Sequence, residues 1–450
     1  MSIKHEKPLT IPDGTHPEKV QPSEWNADHV ITDIVLADGA GASAYLQILN
    51  QTTFPGSFVL GNGGRGITVS APWPIDPLSW ESNGSVAGQG NVLVGIGAGV
   101  GLTSGNGNVC IGYGAGRDAT IATQSTFIGW NAGKLATSAY HNVAIGTGAA
   151  ENQTSGNYNT YVGTDVALWK QSGEANAYFG ASAGAADLTG FGNTFLGTST
   201  GGTGGNHNLF AGYSAGAANA ASHNIGLGPF ALSKTTTGTP NIAIGYEALL
   251  DNVSGTGNVG IGHQSLSLTT SNDNTAIGSK TLCQNVSGAV NTAIGSSALA
   301  ANTGSSNTAV GASAARCNIG GAQNSAVGYQ ALYYNTTGSN TVALGYRAGA
   351  FQANGSTALA DPENSVYLGT ESRGLDDADS HSIVIGYLAI GAGANKAVLG
   401  NASVTDVYLG SAAGLAILHA ATLALTAGAV TFGADNSGGA GYRLLRVPNV

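Results

Sequence analysis

Charge is scarce in this chain. Asp, Glu, Lys and Arg together make up 9% of 450 residues, where about 25% is usual. A sequence so poor in cations, with a formal net charge of −10, has no basic stripe to offer a nucleic acid. Methionine occurs once, which argues against a helical, Met-rich core. The three cysteines, Cys110, Cys283 and Cys317, are odd in number and lack C-x-x-C spacing. That excludes a disulfide framework and argues against a zinc centre. Nine histidines are scattered without ligand spacing, so no metal is expected. No apolar run approaches the roughly 18 residues of a membrane-spanning helix. The opening MSIKHEKPLTIPDG has no apolar stretch behind its charges, so a secretory leader is not expected. Glycine is what the chain has in excess: 71 residues, about twice the ~7% of average usage.

The glycines are periodic. Gly95, Gly112, Gly129, Gly146, Gly163, Gly180 and Gly197 lie 17 residues apart. The series continues through Gly212, Gly228, Gly245, Gly262, Gly278, Gly295, Gly311, Gly328 and Gly345 in steps of 15, 16 or 17, then loosens through Gly369, Gly386, Gly400 and Gly410. A bulky apolar residue usually precedes the glycine (Ile111, Ile128, Val162, Ile244, Ile294). Asparagine usually stands four residues before it (Asn108, Asn142, Asn241, Asn291), and alanine often three after it (Ala115, Ala248, Ala298). The consensus is N-[TV]-x-[IV]-G-x-x-A-[LG] followed by a polar turn. A fixed period of this kind marks a repeat architecture.

The period predicts an all-β chain: a parallel β-solenoid of about 17-residue coils, each with two short strands and two corners. The alternation places the second and fourth consensus residues on one face and the third on the other. On this reading the β-branched residues lie inside, and the asparagines form a stacked amide ladder. The third position is then outward. It is large in early coils (Phe127, Tyr161, Tyr178, Phe195, Phe210) and small in later ones. A small outward column suits close approach of another chain, so Ala243, Ala276, Ala293, Ala309, Ala326 and Ala343 are expected to form an oligomer seam. A flat T-x-T column, as an ice-binding solenoid needs, is not expected. The threonines Thr160, Thr194, Thr275, Thr292 and Thr308 occupy one position and are expected to face inward.

The repeat resembles the left-handed parallel β-roll of YadA-like trimeric adhesin heads, over Asn91 to about Gly410, although those heads use shorter units. Two flanking segments resemble bacteriophage tail-fibre proteins: the stretch around Trp25-Asn26-Ala27-Asp28-His29, and Ala397 to Gly410 with its V-L-G-N-x-S-V-T pattern. The resemblance implies a homotrimeric fibre of a phage virion. Its N-terminus would dock to baseplate or tail proteins through Trp25, Asn26, Asp28 and His29. The rod would face outward for contact with host surface polysaccharide or an outer-membrane component. A capsid or collar fibre shares these features. A trimeric surface adhesin fits less well, because the stalk and membrane anchor it needs are not seen.

Composition divides the chain further. Residues 1–33 concentrate charge and read as an attachment arm. Residues 34–88 read as a small β-rich domain, with eight of the twelve prolines falling at or before Pro77. Residues 89–349 hold the repeats, 350–411 irregular coils with an acidic insert, and 412–450 a C-terminal cap, which solenoids need to cover strand edges. Exposed corner aromatics Tyr113, Trp130, Tyr213, Tyr246, Tyr329 and Tyr346 could stack on glycans, although packing over the corner is the plainer reading. Gly180–Gly184 and Gly212–Gly216 match G-x-S-x-G. They occupy the repeat corner, not the strand-to-helix turn a nucleophile elbow needs. The acids between Asp361 and Asp379 lack the order of a calcium loop. No enzymatic activity and no cofactor are expected.

Overall fold

Each N-[TV]-x-[IV]-G consensus folds as one three-residue strand closed by its glycine. In this computed structural model residues 91–404 are described in full. Four short strands before them are described as backbone: β1 (Ser2–Ile3), β2 (Ile34–Ala37), β3 (Ser43–Gln47) and β4 (Phe58–Leu60). β1 to β4 pair antiparallel in sequence, and β4 pairs parallel with β5 (Val92–Val94). From β5 to β23 (Ala397–Leu399) every strand pairs in parallel with the next, column on column, as in Ile242↔Val259 and Ala243↔Gly260. The chain is therefore all-β and a parallel solenoid, as the period predicts. Among the described residues there is no helix. The stack continues past residue 349 with strands Val366–Leu368 and Ile383–Ile385. Chain contacts divide the molecule into Met1–Asn401 and Ala402–Val450.

The anchor glycine is required twice over. At Gly129 φ is +136°, and a Cβ there would sit 2.2 Å from the carbonyl oxygen of Gly146 in the next coil. An L side chain would meet both an unfavourable torsion and backbone it cannot displace.

The faces of the strand are the reverse of the sequence expectation. The middle residue points into the coil and the flanking β-branched residues point out: Ala243 is fully buried, whereas Ile242 and Ile244 are 36% and 37% exposed. Ala243, Ala276, Ala293, Ala309, Ala326 and Ala343 all have 0% exposure within one chain. They form its core and cannot be a seam between chains. Thr160, Thr194, Thr275, Thr292 and Thr308 likewise lie on the outward face.

What fills the space beside the alanines stands across the coil, six residues on. Where the middle residue is small (Ala243, Gly260, Ala276, Ala293, Ala326), that position is Leu249, Leu266, Leu282, Leu299 or Leu332, all fully buried. Where it is large (Phe127, Tyr178, Phe195, Phe210), the position is Gly133, Gly184, Gly201 or Gly216. A Cβ there would lie 2.2–2.5 Å from the facing ring. In these coils a small residue on one side is matched by a large one on the other, as close packing demands.

The far side of the coil is not the second strand the repeat suggests. Residues two and four after the anchor take positive φ, as in Glu247 (55°) and Leu249 (52°). This alternation turns successive N–H groups to opposite neighbours. Gln264 donates back to Tyr246 O at 2.9 Å, and Leu249 donates forward to Ser265 O at 2.9 Å. The left-handed backbone costs a leucine about 1–2 kcal/mol. Burying its side chain returns about 1.5–3 kcal/mol, a term of the same size that offsets the strain.

The asparagine ladder is present. The Asn241 side-chain oxygen accepts from the Asn258 backbone N–H at 3.0 Å, while its amide donates to Gly255 O at 2.9 Å. A second buried column, seven residues after the anchor, was not read as a ladder from sequence. Asn302, Asn318 and Asn335 each donate to the preceding asparagine oxygen at 3.2, 2.7 and 2.6 Å.

Candidate functional site

Because the small residue faces in, the outward sheet surface is made of the strand's first and third residues. Position three is Ile111, Ile128, Ile145, Val162, Phe179, Leu196 and onward to Leu368, Ile385 and Leu399. Several are markedly exposed: Leu196 55%, Leu344 46%, Leu399 47%. Position one adds Val109, Val143, Leu209, Ile242, Val259 and Val342, interspersed with threonine. The pleat and in-register stacking make position three a continuous apolar strip along one side of the coils, flanked by a mixed column that runs polar through Thr275, Thr292, Thr308 and Ser325. Contiguous patches beyond a few hundred Å² on a surface mark interaction sites. Sequence reasoning missed this strip because it placed these side chains inside. The signal that would have found it is the inverse size relation between the middle residue and the residue six places on.

The corner aromatics are exposed but do not form one track. Tyr113 stacks on Trp130 with ring centroids 6.3 Å apart. Tyr213 and Tyr246 each meet Phe230 edge to face, and Tyr246 stacks on His263 at 5.5 Å. Tyr329 stacks on Tyr346 at 5.5 Å, with the Arg347 guanidinium 5.2 Å from the Tyr346 centroid. Between these three groups the same corner position holds Thr147, Thr164, Ala181 and Thr198, then Ser279, Ser296 and Ala312. Stacked rings cover one another's faces, and a sugar stacks on a face. The geometry therefore joins the six residues in three local groups, two stacked pairs and the four-ring run Tyr213–Phe230–Tyr246–His263.

The remaining candidates resolve into structural roles. Ser182 and Ser214 of the G-x-S-x-G pentads sit in the corner turn at φ 54° and 52°. In the acidic insert Asp379 is fully buried. Its carboxylate accepts from Leu375 N at 2.8 Å and from the Ser382 hydroxyl at 2.5 Å. Asp377 accepts from Ala360 N at 2.7 Å. These carboxylates bind the chain's own backbone. Among the described residues no cluster of three or more His, Cys, Asp or Glu could hold a metal. Trp25, Asn26, Asp28 and His29 lie outside the described residues, as do 412–450.

A groove of about 530 Å³ lies where Ser297, Ala300 and Ala301 leave one coil narrow between its neighbours. Lys280 and Arg316 flank it, and Arg316 donates to the Tyr333 hydroxyl at 2.7 Å. Burial pushes the Cys283 thiol up against the opposing pull of those two cations.

One buried cluster interrupts the second ladder. At the position of its asparagines, consecutive coils carry Lys170 and Asp187, both fully buried and 2.8 Å apart. The neighbouring core residues Tyr161, Tyr178 and Phe195 stack along the axis at 5.2 and 4.4 Å between centroids. Burial depresses the Lys170 ammonium, with the Asp187 charge acting against it. Burial, then the Asp187 charge, raises the phenols of Tyr161 and Tyr178 well above their ordinary range.

No protein-family model, curated protein or solved structure matches this chain.

Proposed function

We propose that this chain is a structural and adhesive fibre of a phage virion, a left-handed β-roll assembled as a homotrimer. The observation that carries the reading is the outward apolar strip. A single coil stack leaves Val, Ile and Leu in water over its whole length, and a threefold of identical strips would bury each against the other two. The seam then runs along Ile244, Ile277, Ile294, Val327 and Leu344, and not along the alanine column. Packing density supports this choice. The alanines are already enclosed, whereas Ile244, Ile277 and Ile294 keep more than a third of their surface exposed in the single chain.

The attachment role rests on the resemblance of the Trp25–His29 segment and of Ala397–Gly410 to tail-fibre sequences. Host contact falls to exposed corner groups such as Tyr113–Trp130 and Tyr329–Tyr346.

Light scattering on the purified full chain should give three times the monomer mass. Imaging intact particles with a label at residue 1 should place the label at the tail junction. A label at the capsid or collar would reassign the fibre, and a monomer in solution would remove the assembly.

A further inference from the structure

Lys170 and Asp187 form the only ion pair with 0% side-chain exposure on both sides among the described residues. An ion pair in an apolar coil keeps a large desolvation cost. Elsewhere the same column holds uncharged side chains, as at Asn285, Asn302 and Asn318, so a charged pair needs an account. Its surroundings are specific. Lys170 Nζ lies 2.8 Å from Asp187 Oδ2 and donates to Gly190 O at 2.5 Å. Asp187 Oδ1 accepts the Gly190 N–H at 2.8 Å, and the Tyr178 hydroxyl donates to Oδ2. The amine, a polarised carboxyl and a proton donor are thus held together among Tyr161, Tyr178 and Phe195.

We propose that Lys170 and Asp187 condense to an intramolecular isopeptide bond, a covalent staple between adjacent coils. The step balances. An ammonium proton passes to Asp187 Oδ2, leaving a neutral amine. Nζ attacks Cγ, forming the N–C bond and placing charge on Oδ1, where the Gly190 N–H stabilises it. A second proton leaves the nitrogen and reaches Oδ2 through the Tyr178 hydroxyl. The Cγ–Oδ2 bond breaks and one water departs. The third ammonium hydrogen remains on the amide. No oxidant or co-reactant is required. The low-dielectric core favours the neutral amine over the ammonium, and its dryness opposes hydrolysis of the product.

The chain contains its own control. Lys234 and Asp251 have the same residue types at the same separation of 17 and an Nζ–Oδ1 distance of 2.5 Å, but their side chains are 60% and 30% exposed. Solvent reaches that pair, so the dry surroundings that favour condensation are missing there.

The test is intact-mass spectrometry of the denatured full chain, followed by peptide mapping. The expected mass is lower than the sequence mass by one water, and a branched species should join the Lys170 and Asp187 peptides. The Lys234 and Asp251 peptides should be recovered separately. Lys170→Gln, which matches Gln153 one coil earlier, should restore the full mass. Tyr178→Phe, which matches Phe195 and Phe210 in the same column, should fold and leave most chains unlinked. A wild-type chain at full mass would overturn the proposal, as would a water loss that persists in Lys170→Gln. Full linkage in Tyr178→Phe would remove the tyrosine from the proton path.

Discussion

The coils from Gly112 to Gly212 and those from Gly228 to Gly345 share one backbone and fill it in opposite ways. The first group places aromatic rings on the strand with glycine across the coil at Phe127, Tyr178, Phe195 and Phe210, although Ala144 faces Ala150. The second places alanine or glycine on the strand and, in six coils, leucine across it, while Ala309 faces Ala315 and Ala343 faces Gly349. The first stacks its rings along the axis, with Phe195 and Phe210 centroids 5.6 Å apart. The second carries the continuous inner asparagine ladder through Asn285, Asn302, Asn318 and Asn335. The difference teaches that coil width is held by a sum of two side chains, and that neither position can be read alone.

Exchanging that sum should have the largest effect. Phe195→Ala should cost about 3–5 kcal/mol, because Gly201 opposite leaves nothing to collapse into the void. Gly201→Leu alone should overpack the ring, which already lies 2.3 Å from a Cβ at that glycine. Phe195→Ala with Gly201→Leu should recover part of the loss, since it recreates the pair seen at Ala243 and Leu249. Thermal melts of the two single variants and the double close this cycle. A double variant no better than the sum of the singles would break the rule of paired volumes.

Alkali should separate the two regions next. Burial raises Cys110 from 9.0 to about 12 and raises the Tyr161, Tyr178 and Tyr367 phenols. A raised folded pKa gives stability that is complete below the unfolded value and lost as pH climbs toward the folded one. Cys110 alone should therefore withdraw up to roughly 4 kcal/mol between pH 9 and 12. Hydrogen exchange followed from pH 8 upward should show the aromatic coils opening before the Ala293–Ala326 coils. Cys110→Ala should reduce the slope.

Overpacking the later coils should come third. Ala293→Phe should cost about 1–3 kcal/mol. Because Ala293 lies inside its own chain, the drop in melting temperature should not depend on protein concentration. Asn291→Ala belongs in the same range, at about 1–3 kcal/mol, since it leaves the Asn307 N–H unpartnered and takes one of two side-chain donors from the Gly304 carbonyl, which keeps Asn302. Its effect is read by denaturant midpoint at constant slope.

The smallest stability change should fall on the outward strip. Ile294→Lys together with Ile277→Lys should alter the coil's own stability by about 0.5 kcal/mol or less, while changing the sedimenting mass. A variant that keeps the parent's mass would place the contact on another face.

Much of the fold was legible in the repeat. The glycine anchors, the strand positions, the in-register columns and the first asparagine ladder all follow from spacing. The direction of the strand was not legible. Three residues alternate equally well either way up, and β-branched residues suit an exposed pleat against another chain as well as an interior. The deciding information lay six residues on, in the exchange of Gly133 and Gly184 for Leu249 and Leu266. The turn geometry was hidden for another reason. Positive φ at Glu247, Gln264 or Leu249 is chosen by the coil above and below, not by those residue types.

By itself the sequence determined the period and which residues share a column, because in-register stacking turns spacing directly into neighbours. Only the tertiary structure decided what faces in. A coil this thin closes over whichever pair of side chains fills its width, and that pairing spans two sides of the coil. For the same reason Lys170, Asp187, Gly190 and Tyr178 look unrelated along the chain and meet within hydrogen-bonding reach once adjacent coils are stacked.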